Sequence, residues 1–273
     1  MKTINLIKSH YHKLTKTEKK IADGILGDVE RTITQMSTSE LARSLDVGEA
    51  SIVRFCRKLG FDGYVDLKIA LAVDYSTEAA EANSGTYLGA LYNECRSALN
   101  DTCSRIDTEA VKGAVELLMG ARRIFTYGVA SSGIMAAVAE ERLMRTGVVA
   151  KSVCETHLQH MQSTLCSEGD VLMVFSVSGS SWDINDAVAI ARENGAKVIG
   201  MTCYPTSALA GLSDVVLLSA GPDRIVEGGD FATMTSMLFL IGAVCRSISH
   251  LDPVKATRSK EQITRAVSVF KKY

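Results

Sequence analysis

Val171-Leu172-Met173-Val174 runs into Phe175-Ser176-Val177-Ser178-Gly179-Ser180-Ser181-Trp182-Asp183, which leads into Ala187-Val188-Ala189-Ile190-Ala191. The first segment is an apolar run of strand length and the last has helical periodicity. Between them lies a loop of small hydroxyl residues that opens the helix. Hydroxyls and free backbone N–H groups then converge on an electropositive helix N-terminus, which suits an anionic group such as phosphate.

The same grammar extends to both sides. Arg123 to Tyr127 reads as a strand, Gly128-Val129-Ala130-Ser131-Ser132-Gly133 as a second hydroxyl-bearing loop, and residues 134–145 as a helix. A strand is expected over 149–153, a helix over 158–165, and the strand of the opening segment over 171–176. A helix over 184–194, strands over 197–201 and 215–218, and a long apolar helix over 231–248 complete the series, with one helical stretch over about 88–119 ahead of it. Apolar strands alternating with helices predict an α/β domain with a parallel five-stranded sheet flanked by helices on both faces. Such sheets bind ligands at the carboxyl ends of their strands, where both serine loops fall.

The front of the chain is different, because its patterns are all helical. Thr38-Ser39-Glu40-Leu41-Ala42-Arg43-Ser44-Leu45 reads as a short capped helix with Leu41, Ala42 and Leu45 on one face. Asp46-Val47-Gly48 is a tight turn, with Gly48 expected to take the backbone geometry that side chains resist. Residues 49–59 form a second helix with Ile52, Phe55, Cys56 and Leu59 as its inner stripe. This is the spacing of a helix-turn-helix whose second helix enters the DNA major groove. Glu49, Ala50 and Ser51 would sit nearest base edges, Arg54 at a base or a phosphate, and Arg57 and Lys58 at phosphates. Lys16, Lys19 and Lys20 add basic character, whereas Asp62 and Asp66 interrupt it. A helical hairpin with a solvated basic face is the competing reading.

Bulk properties narrow the classes. The chain has 273 residues, 47% of them hydrophobic, and a formal net charge of -1, so it is globular and nucleic-acid binding must come from a local patch. Seven scattered cysteines, odd in number and without a C-x-x-C pair, point to reduced thiols in a cytoplasmic protein. The start lacks a signal-peptide core, and no uninterrupted apolar run reaches the ~18 residues of a membrane span. The longest run, Met237 to Cys245, reads as a buried helix. The small polar stretch around 76–86 reads as a linker or frayed helix end, which places a DNA-binding domain at 1–76, a linker at 77–87 and the α/β domain at 88–273.

Together the two halves resemble the RpiR family of bacterial transcription regulators, which join an N-terminal helix-turn-helix to a C-terminal sugar isomerase (SIS) domain, a flavodoxin-like fold, that senses phosphorylated sugars. The resemblance rests on residues 51–61, on Ser176-x-Ser178-Gly179-x-Ser181-x-Asp183, and on Glu155-Thr156-His157-Leu158-Gln159. Ser181 and Asp183 stand where many SIS domains carry Thr and Glu, Ala130 where Gly is common in the first loop, and Gly48 where a Ser cap is frequent. The resemblance implies that Ser131, Ser132, Ser176, Ser178, Gly179, Ser180 and Ser181 hold a sugar phosphate, and Glu227 in Val226-Glu227-Gly228-Gly229 is a further candidate for bonding sugar hydroxyls. It also implies no cofactor, and a homodimer or homotetramer that reads a palindromic operator, with the linker carrying ligand state to the DNA-binding heads.

Several residues carry open readings. Trp182, the single tryptophan, could cover a sugar face, lie in a subunit interface or simply pack. His157 and His160 share a helical face, but a metal site would need more ligands than Cys154 and Glu155. The basic tail, with Arg258, Lys260, Arg265, Lys271 and Lys272, reads as a solvated helix face. The alternative function is an aldose–ketose sugar-phosphate isomerase, for which His157, Glu155 and Glu227 are the candidate acid and base. A helix-turn-helix has no use in an isomerase, so a sensor without catalysis is the expected function.

Overall fold

This computed structural model describes residues 2–29, 32, 36–82, 87–221 and 231–268. The chain divides into two compact units, one ending at Tyr92 and the other beginning at Asn93.

In the first unit the elements are α1 (Lys2–His10), a 3-10 turn (Tyr11–Lys13), α2 (Lys16–Gly27), α3 (Thr38–Ser44), α4 (Glu49–Lys58) and α5 (Tyr64–Ala82). Capping boxes start two of them. Ser37 accepts from the Glu40 N–H at 3.2 Å while Glu40 accepts from the Ser37 N–H at 2.7 Å, and Thr15 and Glu18 repeat the pattern. The stripe expected on the second helix is the buried face of α4, since Ile52, Phe55 and Cys56 are fully buried and Leu59 nearly so. The turn corrects one expectation. Gly48 has φ -76°, an extended conformation open to any residue, and Asp46 takes the left-handed one at φ 46°. Aspartate tolerates that region because its short side chain solvates the local backbone. Helix α5 also continues through Ala82, into the stretch expected to be linker.

The second unit contains α6 (Tyr87–Arg105), whose first residues precede the division, then α7 (Thr108–Gly120), β1 (Arg123–Tyr127), α8 (Ser131–Met144), β2 (Lys151–Val153) and α9 (Thr156–Thr164). It continues with β3 (Asp170–Phe175), α10 (Trp182–Glu193), β4 (Lys197–Thr202), α11 (Ala208–Leu212), β5 (Val215–Leu218), α12 (Phe231–Leu251) and α13 (Pro253–Ser268). All five strands are parallel in the order β2-β1-β3-β4-β5. Strand β3 reads as unbroken apolar sequence because both faces are covered. Val171, Met173 and Phe175 meet α7, α8 and α12 on one side, and Leu172 and Val174 meet α10 on the other.

The single helical stretch expected over 88–119 is two helices. The break at Ile106-Asp107 is a start signal, since the Asp107 carboxylate accepts from the Glu109 N–H at 2.9 Å. Strand β2 begins at Lys151, two residues later than expected, and α8 begins at Ser131, three residues earlier. Helix α12 is long and apolar enough to cross a membrane by length and composition, with a window of mean hydropathy 1.6. It packs against α7 and α8, where Met237, Leu240, Ile241 and Val244 are buried, as a core helix does.

Candidate functional site

Two groups of residues carry the chemistry, one in each unit. In the first, α4 exposes Glu49, Ala50, Arg54, Arg57 and Lys58, with Ser51 half-buried. The Arg54 guanidinium donates to Ser51 Oγ at 3.0 Å, and Arg57 Nε donates weakly to the Asp62 carbonyl at 3.4 Å. No side chain caps the N-terminus of α4, because its cap is Gly48. The helix therefore presents N–H donors and a positive dipole end beside the residues expected at base edges. Lys58 differs from its neighbours. Its ammonium donates to Glu18 Oε2 at 2.7 Å and to the Lys13 carbonyl at 3.0 Å.

In the second unit, the chain leaves β1 toward β2 and leaves β3 toward β4, so the direction of winding reverses between these adjacent strands. Open parallel sheets form their ligand crevice at such a reversal, outside the carboxyl ends. Tyr127 pairs with Val174 in the ladder, which sets the two strand ends abreast. The serine loops follow these ends and start α8 and α10. The helices α7, α9 and α11 carry side-chain caps from Asp107, Glu155 and Ser207, and Asp252 bonds the Lys255 N–H at the start of α13. Helices α8 and α10, capped by Ala130 and Ser181, have no side-chain cap bond. Two uncapped N-termini thus flank the crevice, with donors a phosphate can accept.

The individual serines play different parts. Ser176 is buried, and its Oγ accepts from the Gly179 N–H at 3.1 Å and lies 3.5 Å from Ser181 Oγ. It shapes the loop. Ser178 and Ser180 are half-buried, with Ser178 Oγ accepting from the Ser180 N–H at 3.3 Å, and Ser181 is exposed. Ser131 and Ser132 lie in the first turn of α8 and not in a free loop, Ser131 half-buried and Ser132 buried. Asn185, which the sequence did not single out, donates to the Gly179 carbonyl at 3.0 Å, and that carbonyl also accepts from the Leu209 N–H at 2.9 Å. A lone amide on an otherwise ordinary amphipathic helix gives little warning of this task. Glu227 lies outside the described residues.

Ala130 holds φ 52° and ψ -127°, a region that favours glycine. A side chain there costs on the order of 1–3 kcal/mol. Ala130→Gly is expected to stabilise the second unit by about 1 kcal/mol, read as a small rise in melting temperature. A fall would show that the alanine is unstrained.

Of the residues expected as acid and base, Glu155 is otherwise engaged. The Glu155 carboxylate accepts from the His157 and Leu158 N–H groups at 3.0 and 2.8 Å as the cap of α9, and these bonds hold its pKa below the ordinary value. His160 contacts the Thr156 carbonyl through Nδ1 at 2.9 Å and Asp186 through Nε2 at 3.1 Å, which raise its pKa in that order. His157 is exposed. No group of three His, Cys, Asp or Glu residues that could hold a metal occurs among the described residues. Trp182 opens α10 and is 75% exposed, so simple packing within the chain does not explain it.

Residues 1–78 match the helix-turn-helix domain of the rpiR family, and residues 117–246 match the SIS domain. An HTH-type transcriptional regulator of Haemophilus influenzae is 31% identical over 97% of this chain and 96% of its own. The chain belongs to the RpiR family. HexR of Pseudomonas aeruginosa, another HTH-type regulator, is 30% identical over 72% of this chain and 71% of its own. The structure of Vibrio vulnificus NanR complexed with ManNAc-6P superposes with a TM-score of 0.80 at 29% identity, covering 98% of both chains. This RpiR-family member is accordingly a DNA-binding transcription regulator whose second unit has the SIS fold.

Proposed function

We propose that a phosphorylated sugar binds in the crevice between the carboxyl ends of β1 and β3 and sets the affinity of the helix-turn-helix for its operator. The observation that carries this reading is the pair of uncapped helix N-termini, α8 and α10, at the point where the sheet reverses its winding. Phosphate accepts from their first N–H groups and from Ser131, Ser178, Ser180 and Ser181, with Ser132 beside them at the start of α8, while Ser176 shapes the loop from beneath. Gly179 sets the loop's path, and Glu227 bonds sugar hydroxyls. Among the described residues the reading calls on no Lys or Arg at the phosphate, which suits an effector that exchanges.

The ligand of NanR, an N-acetylated hexosamine phosphate, makes amino-sugar phosphates the first class to test. The protein acts in the cytoplasm as a homodimer or homotetramer, so that paired α4 helices meet a palindromic operator. It senses without turnover, a reading supported by the commitment of Glu155, one of the three candidate acid and base residues, to capping α9. A coupling of ~1–3 kcal/mol would change operator affinity ~5–150-fold.

The test is a thermal-shift screen of hexose, pentose, amino-sugar and muramic-type phosphates, with chromatography for conversion. A ligand at ~100 times its Kd adds ~2.7 kcal/mol of stability. Ser178→Ala with Ser181→Ala is expected to remove that shift, and Trp182 fluorescence to change on binding in the unaltered protein. Shifts indifferent to both serines would place the ligand elsewhere, and interconversion of an aldose and a ketose phosphate would make the protein an isomerase.

A further inference from the structure

We propose that the elbow between α1 and α2 grips the DNA backbone beside the recognition helix, with Lys13 and Lys16 as phosphate contacts and Lys58 as the strut that holds the elbow in place. The proposal rests on the helix-turn-helix reading and reassigns part of its contact set.

Residues 8–20 hold five lysines, Lys8, Lys13, Lys16, Lys19 and Lys20, against one carboxylate, Glu18. That carboxylate already has partners, both at Oε2. It closes the capping box with Thr15 and receives Lys58 at 2.7 Å, and the Lys58 bond is the largest cause holding its pKa below the ordinary value. The pair is partly shielded, with Glu18 16% and Lys58 37% exposed. Lys58 thus directs its charge to an intramolecular partner at the protein surface. Its second bond, to the Lys13 carbonyl at 3.0 Å, fixes the last residue of α4 against the 3-10 turn.

The elbow is rigid for local reasons. Leu14 is buried in the core, and Thr15 caps α2 on its far side. Lys13 and Lys16 therefore leave a fixed backbone, both are exposed, and neither has a carboxylate within 4 Å among the described residues. Lys19 is half-buried, with its ammonium 5.4 Å from the Tyr11 ring centroid.

Geometry places the elbow at the groove wall. Helix α4 has 10 residues and is about 15 Å long. The major groove is about 12 Å wide. A helix entering by its N-terminus brings its far end out to the sugar–phosphate wall, and the elbow touches that end. Lysines there bond phosphate oxygens without reading bases and release condensed counterions.

The experiment measures binding of the full-length chain to a mixed-sequence 30-base-pair duplex from ~50 to ~200 mM salt. The double variant Lys13→Gln/Lys16→Gln is expected to flatten the log–log slope by about 2, near 0.9 for each phosphate lost. Lys13→Arg/Lys16→Arg keeps the slope, and adding Lys58→Gln to the glutamine double variant changes it by less than about half a unit further. Both glutamine sites are exposed, so the melting temperature should hold. An unchanged slope in the double variant overturns the proposal, as does a further loss of about 1 when Lys58→Gln is added to the double variant, which would make Lys58 itself a phosphate contact. If Arg54→Ala weakens binding while the double variant does not, the recognition helix stands and the elbow falls. If the unaltered protein binds the duplex without salt dependence, the helix-turn-helix reading itself fails.

Discussion

Gly179→Ala is expected to weaken sugar-phosphate binding by about 2–4 kcal/mol, roughly 30- to 1,000-fold. Gly179 sits at φ +63°, and a Cβ added there would lie 2.2 Å from Ser207 Oγ, 2.5 Å from Ser207 Cβ and 2.9 Å from Thr202 Oγ1. A left-handed conformation costs a side chain about 1–2 kcal/mol, and overpacking adds about 1–3. Rotating Ser207 moves its hydroxyl but not its Cβ, and it also breaks the cap of α11, where Ser207 Oγ accepts from the Ala210 N–H at 3.3 Å. The loop has to shift, and with it the donors of Ser178 to Trp182. Titration calorimetry with the ligand found by the thermal screen is the measurement. Adding Ser207→Gly should restore part of the affinity, since the steric conflict goes and the φ cost stays. Affinity within threefold of the unaltered protein would show that the loop does not set the site.

Asp170→Asn is expected to destabilise the second unit by about 3 kcal/mol, the lower end for breaking a buried ion pair, because both arginine partners are about half exposed and can return to water. Asp170 is fully buried at the start of β3. Its Oδ1 accepts from Arg122 and Arg123 Nε at 3.2 and 3.0 Å, and Oδ2 from their Nη2 groups at 3.1 and 2.5 Å and from the Ser167 N–H at 2.9 Å. Arg123 pairs with Asp170 in the ladder, so this staple ties together the amino ends of the two strands whose carboxyl ends form the crevice. The Arg123 bond first, then that from Arg122, holds the carboxyl well below the usual carboxylate range against the opposing effect of burial. A depressed folded pKa contributes stability that is fully present above the unfolded value, about 3.9, and is lost as pH falls toward the folded one. The gap between the two proteins should therefore be constant from about pH 8 to 5 and narrow below about pH 4. Chemical denaturation across that range measures it. A gap that opened on acidification would contradict the assignment.

Regular backbone was the most legible part of this chain. Strands β1 and β5 have the bounds read from sequence, because short apolar runs between turn residues leave few alternatives. The inner face of α4 was equally clear from its period. The legible part of the crevice was its position, since two loops of small hydroxyl residues followed two apolar runs. What each polar group does there was not legible. Glu155 looked available as a base and is a helix cap. Ser176 looked like a phosphate donor and forms the loop's own turn. Lys58 looked like a phosphate contact and is paired with Glu18, 40 residues away in sequence. The turn residue with left-handed backbone is Asp46 and not Gly48, because a glycine permits that conformation without requiring it.

Sequence alone determined the two-part organisation, the parallel sheet, the recognition helix and the strand ends where a ligand would sit. These follow from local periodicity and from loop composition, which act within a few residues. The tertiary structure decided which neighbours engage each hydroxyl, carboxylate and ammonium. It alone set β1 beside β3, leaving two uncapped helix N-termini at one crevice. Hydrogen bonds and ion pairs are short-ranged and indifferent to sequence separation, so their partners exist only once the chain has folded.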